Sequence, residues 1–188
     1  MPRSFKVKYP KTRAIIDCTE FFIQKPSNTK AQSLTYSSYK SHNTAKSLVA
    51  IDPTGAFTFV SETWGGNTSD RFITQNSGFS DHVEKGDDIM ADRGFTIRDL
   101  LLRKKATLNM PPFTRKCTFG NKKKLNAGEI VQTRQIAKLR IHVERAIERL
   151  KNFKMLSQTI PLNCHPVLDQ MIVVAAFACN LLQPLVKK

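Results

Sequence analysis

Cysteine is scarce in this chain, and what there is does not pair. Cys18, Cys117, Cys164 and Cys179 are scattered, with no C-x-x-C spacing among them. That argues against a disulfide framework and a structural zinc site, and it fits a reducing compartment. Long hydrophobic runs are missing too. The most apolar stretch, residues 171–182, contains Asn180 and falls far short of the ~20 residues that span a bilayer, so no membrane partner is expected. The opening MPRSFKVKYP is basic with no apolar core behind it, so no secretory leader is expected either. The four histidines, His42, His82, His142 and His165, have no mutual spacing suited to a metal cluster. Tryptophan occurs once, as Trp64 before two glycines, and reads either as a core anchor or as a ring that stacks on a base. Acids are the most telling shortage: 15 Asp and Glu face 30 Lys and Arg, a net charge of +15.

Such an excess favours polyanionic partners. Its distribution sharpens the point. Residues 103–154 hold fifteen Lys or Arg and three acids (Glu129, Glu144, Glu148), a local balance of +12. Charge segregated in this way reads as a binding surface more than as a solubility device. With 40% hydrophobic and 9% aromatic residues, the 188-residue chain is otherwise that of one globular domain with a real core.

Residue patterns predict strands over 14–24 (AIIDCTEFFIQ), 48–52 (LVAID) and 57–62 (FTFVSE), the last two joined at Pro53-Thr54-Gly55, together an antiparallel meander. The polar stretch 25–46 lacks periodicity and reads as loop. A short helix is expected over 68–76 and a buried strand over 88–92 (DIMAD). Thr96 and Asp99 have capping-box spacing and open a helix through Leu102, and another strand follows over 106–110. A basic connector, 113–128, leads to a helix that starts near Asn126 and runs to about Lys154, with Leu139, Val143, Ile147 and Leu150 on one stripe. A last apolar helix is expected over 166–182. This order describes a mixed α/β domain, a central sheet flanked by helices, in the ribonuclease-H-like arrangement.

In that arrangement the first strand, the fourth strand and a later helix each bring one carboxylate to a common point. Asp17, Asp92 and Glu144 occupy those three places. Hydrolysis of a phosphodiester needs an activated water and stabilised charge on the entering and leaving oxygens, which two divalent ions held by carboxylates supply. Asp17 inside a β-branched strand is hard to explain as packing, because a buried unpaired carboxylate is costly. Asp92 alone is equally a turn or ion-pair residue, and Glu144 alone reads sooner as an ordinary helix acid paired with Arg140 than as a functional one. The case rests on the three together.

These residues carry a resemblance. I-I-D-C-T-E (15–20), Y-K-S-H-N-T-A-K (39–46), W-G-G-N-T-S-D (64–70), M-A-D-R-G-F (90–95) and R-I-H-V-E-R-A-I-E-R-L-K (140–151) resemble the DDE superfamily endonucleases of the PIF/Harbinger transposase group. The resemblance implies a ribonuclease-H-like fold, DNA as substrate, and cleavage and strand joining that depend on Mg2+ or Mn2+ held by Asp17, Asp92 and Glu144. It places the catalytic domain over 14–185, behind a basic tail at 1–13 and with a basic strand and connector region at 103–128. Transposases of this group use a DNA-binding module of their own or a separate one. None fits in the thirteen residues before the first strand, so a separate or missing one is expected, with homo-oligomers possible and the nucleus as location. The rival expectation is a catalytically silent DNA-binding or scaffold protein of transposase origin, and a more distant one is an RNA-cleaving member of the fold.

Candidate phosphate contacts are Arg93 and Arg145, each following an acid of the triad, and Lys122, Lys123 and Lys124 in the connector. The lysine run reads equally as a nuclear-import signal or a solvated loop. Asp70 reads as a cap in the first turn of a helix rather than as a fourth metal ligand. Asp87 and Asp88 read as solvated, and His142 as packed or solvated rather than catalytic.

Overall fold

The computed structural model describes Phe5 and residues 9–112, 115–116, 123–124 and 127–185. In chain order the elements are β1 (Thr12–Phe22), α1 (Thr29–Thr35), β2 (Tyr36–Ser37), β3 (His42–Ile51), β4 (Phe57–Val60), β5 (Trp64–Gly65) and α2 (Asp70–Asn76). After a 3-10 turn at Phe79–His82 come β6 (Asp88–Met90), α3 (Arg98–Arg103), β7 (Thr107–Asn109), and a two-stranded ribbon of β8 (Arg115–Lys116) and β9 (Lys123–Lys124). The long helix α4 (Ala127–Lys151), a short α5 (Lys154–Ser157), a 3-10 stretch at Leu162–Val167 and α6 (Leu168–Asn180) complete the order.

β1 is the centre of the sheet. It pairs antiparallel with β3 on one side and parallel with β6 on the other, and β6 pairs parallel with β7. β3 carries β2, β4 and β5 along its far edge. Three antiparallel positions followed by two parallel ones make the mixed, ribonuclease-H-like sheet that the element order predicts.

Alternation along the strands builds two cores, one on each face. Ile15, Phe21, Val49, Ile51 and Met90 point to α4 and α6. Ile16, Leu48, Ala50 and Ile89 point the other way, to α2, α3 and the turn between Asp92 and Ile97. On α4 the buried residues Ile136, Leu139, Val143, Ala146 and Leu150 recur at helical spacing, which fixes how the helix is rotated against the sheet. α6 is pinned more specifically: the Asn180 amide donates to Phe57 O (2.9 Å) and accepts from Phe57 N (2.7 Å), while the Asp169 carboxylate accepts from Thr63 N (2.8 Å). The stretch Leu162–Asn180 is long and apolar enough by composition to cross a membrane. It is nonetheless split between a 3-10 stretch holding Pro166 and α6, whose inner face packs into the core through Leu168, Ile172 and Ala176.

Several local expectations need correcting. The stretch 25–46 is not loop. Asn28 caps α1 by accepting from Lys30 N (2.9 Å) and Ala31 N (3.2 Å), and β3 begins at His42 rather than 48. The polar residues of that strand are buried but bonded: Thr44 donates to Glu20 Oε2 (2.8 Å) and Ser47 to Ser61 O (2.9 Å), which removes the penalty of burying them. Thr96 does not cap α3. The helix starts at Arg98 without a side-chain cap, and Asp99 takes the Arg71 guanidinium in a fork of 2.6 and 2.7 Å. The helix start expected at Asn126 lies outside the described residues. Phe5 is fully buried against the α4 side of the core, with its ring 6.3 Å from that of His142.

Candidate active site

The parallel pairing of β1 and β6 sets the site. Ile15 lies opposite Met90, and both side chains enter the α4 core. Asp17 stands two residues further along β1, and Asp92 two residues beyond Met90, so the pairing brings both acids to one cleft. β6 ends at Met90, however, and the chain turns away, with Phe95 N bonding to Asp92 O at 3.1 Å. Buried Phe95 and Ile97 hold that turn down. The sheet therefore opens beside Asp17, at the carboxyl ends of parallel strands, where α/β sheets place their ligands.

α4 closes the opening from above. Arg140, Glu144, Ile147 and Lys151 form the stripe next to its core stripe, and all four line the cleft. The cleft holds about 600 Å³ and is also lined by Asp17, Asp92, Glu20, Lys40, Lys46 and Asp70. Asp17, Asp92 and Glu144 thus come from strand, turn and helix to the walls of one cavity.

Their states differ. Burial pushes the Asp17 carboxyl up to about 6, with Arg140 and the Cys18 amide (2.9 Å) opposing and nearby Asp70 and Asp92 adding to the rise. Asp92 accepts from Arg93 N (2.7 Å) and pairs with Arg140 at 3.0 Å. The Arg140 side chain is only 11% exposed, and its Nε has no partner among the described residues. Glu144 is exposed and shows no ion pair among the described residues, so the Arg140–Glu144 pair that helical spacing suggested does not form. Lys46 pairs with Asp70 at 2.7 Å and bonds Thr68 O at 3.1 Å; burial opposes its charge, but Asp70 outweighs that and raises its pKa. Burial, with Lys40 nearby, lowers that of Lys151, against the pull of Glu20 and Asp17.

The cap of α2 is Ser69, whose hydroxyl accepts from Phe72 N at 3.2 Å; Asp70, in the first turn, points to Lys46 and the cleft. Arg93 and Arg145 do not line the cleft. Lys122 lies outside the described residues, and Lys123 and Lys124 are described only as the backbone of β9. Among the described residues, the cations that reach the cleft are Arg140, Lys151, Lys46 and Lys40. Arg140 and Lys151 were findable from sequence, because they lie four before and seven after Glu144 on one helical face. Lys46 and Lys40 stand in the Y-K-S-H-N-T-A-K motif, but that stretch carries no strand signal to place them at the cleft.

Chemically the cleft is a set of hard oxygen donors beside fixed cations, suited to divalent ions and phosphate. Among the described residues no three His, Cys, Asp or Glu side chains stand close enough together to hold one metal ion. The fit is therefore one of donor chemistry and common cavity, with Arg140 as the cation now seated against Asp92.

A ribonuclease-H-like sheet with an acid-walled cleft at its parallel carboxyl ends describes a domain of the nuclease type. Comparison with known families makes this specific: the family model for the DDE superfamily endonuclease matches residues 16–180, and the chain belongs to that family. Neither the curated proteins nor the solved structures compared with it gave a match.

Proposed function

We propose that this chain is the catalytic domain of a divalent-metal-dependent DNA endonuclease of the transposase type, of the PIF/Harbinger group, with Asp17, Asp92 and Glu144 as its metal-holding acids. One observation carries the reading: three acids 52 to 127 residues apart in the chain line a single cleft beside β1, just past the end of β6. Two Mg2+ or Mn2+ ions, when bound there, supply an activated water and neutralise charge on the phosphodiester oxygens. The chain's own residues do the rest. Asp17, fixed on the central strand, and Asp92, on the buried turn, offer preorganised oxygens, and Glu144 reaches in from α4. Lys40, Lys46 and Lys151 offer positive charge to the phosphate around them. Arg140, paired with Asp92 and lowering the pKa of the Asp17 carboxyl, offsets the charge of these two acids.

DNA as substrate agrees with the +12 balance of residues 103–154. A nuclear location, a separate DNA-binding domain and a homo-oligomer belong to the same proposal. The Arg140–Asp92 pair favours a second reading, a silent DNA-binding descendant in which arginine has replaced the metal for good.

Cleavage of supercoiled plasmid separates the two. With Mg2+ or Mn2+ the wild type should nick or linearise it. Asp17→Asn, Asp92→Asn and Glu144→Gln should each lose cutting while keeping DNA binding, and Ca2+ should support binding without turnover. A variant that cuts nearly as well as wild type removes its residue from the site, and no cutting under any divalent ion supports the silent reading.

A further inference from the structure

The hairpin formed by β2 and the start of β3 separates two hollows. On one side Tyr39 and Lys40 face the acidic cleft. On the other lies an open groove of about 830 Å³, floored by α1 and the end of β1 and lined by Phe22, Tyr36, His42, Asn43, Asn67 and Lys25. The described residues lining this groove include no acid, in contrast to the cleft a few residues away. Open aromatic rings stand on both sides of the hairpin: Tyr36 in the groove is 47% exposed, and Tyr39, on the cleft side of the tip, 83%.

The rings are exposed but not loosely mounted. Ser37 Oγ accepts from Lys40 N at 3.2 Å, and the His42 ring bonds Lys40 O at 2.9 Å. Ser41 turns the tip with a positive φ of 55°. His42 meets Phe22 edge to face at 5.3 Å, and Asn43 ties the hairpin to α1 through Gln32 O (3.0 Å) and Thr35 Oγ1 (2.8 Å). Lys40 sits over the Tyr39 ring at 4.5 Å, a cation beside a stacking face.

We propose that this hairpin and groove form a stacking site for unpaired bases of the DNA strand whose phosphate lies in the acidic cleft. Every base offers a π-face, so exposed tyrosines bind single-stranded DNA with little sequence preference, while neighbouring lysines follow the phosphates. Paired bases keep their faces covered by the stack, so a duplex does not offer them to Tyr36 and Tyr39. A groove without acids accepts a phosphodiester chain that the carboxylates next door repel unless cations are bound. The site rests on the reading of the cleft as the place of the scissile phosphate, but base binding itself is measured without cleavage.

The test uses fluorescence anisotropy in EDTA with two probes, a short oligothymidine and an abasic oligomer of equal length. Wild type should bind the base-containing probe about fivefold or more tightly for each stacked base. Tyr36→Ala combined with Tyr39→Ala should erase that preference without changing affinity for the abasic probe, and the matching pair of Tyr→Phe changes should keep it. Equal affinity of wild type for the two probes overturns the proposal, as does a preference that survives in the double alanine variant. Loss of cleavage with the base preference intact speaks against the endonuclease reading alone.

Discussion

Asp17→Asn should make the protein more stable at neutral pH, and the structure gives the size of the gain. Asp17 sits on the central strand, where burial pushes its carboxyl from 3.8 up to about 6. A carboxyl held that far above its unfolded value costs about 3 kcal/mol when it ionises in the folded chain, at roughly 1.4 kcal/mol per pH unit. Below pH 3.8 it is protonated in both states and the cost is absent. Between 3.8 and about 6 the unfolded chain gives up its proton while the folded chain keeps it, so the cost accumulates. Above about 6 it is complete. Asparagine has nearly the same shape and can still accept from Cys18 N, but it carries no charge. At this chain length 1 kcal/mol moves Tm by roughly 2–4 °C, so the variant should melt roughly 6–12 °C higher at pH 7.5 in EDTA. The gain should shrink towards zero as pH falls through 6 to about 4. Mn2+ should then stabilise the wild type and not the variant, because only the wild type offers the buried carboxylate. Thermal melts of both proteins across that pH range are the assay. A variant no more stable than wild type at pH 7.5, or a gain that does not depend on pH, would refute the account of Asp17 as a strained, cation-seeking acid.

Arg140→Ala should lower stability in EDTA by about 1–2 kcal/mol, since a guanidinium largely buried against half-exposed Asp92 is lost, and it should raise Mn2+ affinity measured by EPR; unchanged affinity would mean that Arg140 does not compete with the cation. Asn180→Ala should cost about 2–3 kcal/mol in urea melts, because both hydrogen bonds to the Phe57 backbone disappear together; a loss below ~0.5 kcal/mol would leave α6 held by apolar packing alone. Replacing Lys122, Lys123 and Lys124 with alanine should flatten the salt dependence of duplex binding, by about 0.9 in log–log slope for each phosphate no longer neutralised, and weaken all sequences alike. Strong discrimination between duplexes by the isolated chain would instead reveal a base-reading surface elsewhere.

Asp17 was legible in the sequence because it sits against the grain of its strand, within IIDCT, whereas Asp92 and Glu144 read singly as ordinary turn and helix acids and stood out only as members of the set. What brings them together was not legible. Ile15 and Met90 are 75 residues apart, and their parallel pairing is what brings Asp17 and Asp92 to the same cleft. The first half of β3 was missed because HNTAKS has no apolar alternation. Its burial depends on Thr44 and Ser47 finding Glu20 and Ser61, partners that lie far away in the chain. Asn28 is a helix-cap residue, but the stretch around it has no apolar periodicity to mark the helix that it starts. Arg140 shows the limit of helical spacing as a guide. Its nearest acid in sequence is Glu144, one turn on, yet it turns to Asp92, because the core stripe of α4 points Arg140 at the end of β6.

The most direct test of the central claim is to locate the cation. Fe2+ occupies Mg2+ sites, and with peroxide and ascorbate it releases hydroxyl radicals that cut the polypeptide within a few ångströms. Mapping the fragments by mass spectrometry should give cuts near Asp17, near Asp92 and near Glu144 together, all suppressed by excess Mg2+ and all lost in Asp17→Asn. Cuts confined to one of these segments, or a pattern that Mg2+ leaves unchanged, would contradict a metal centre built from the three acids.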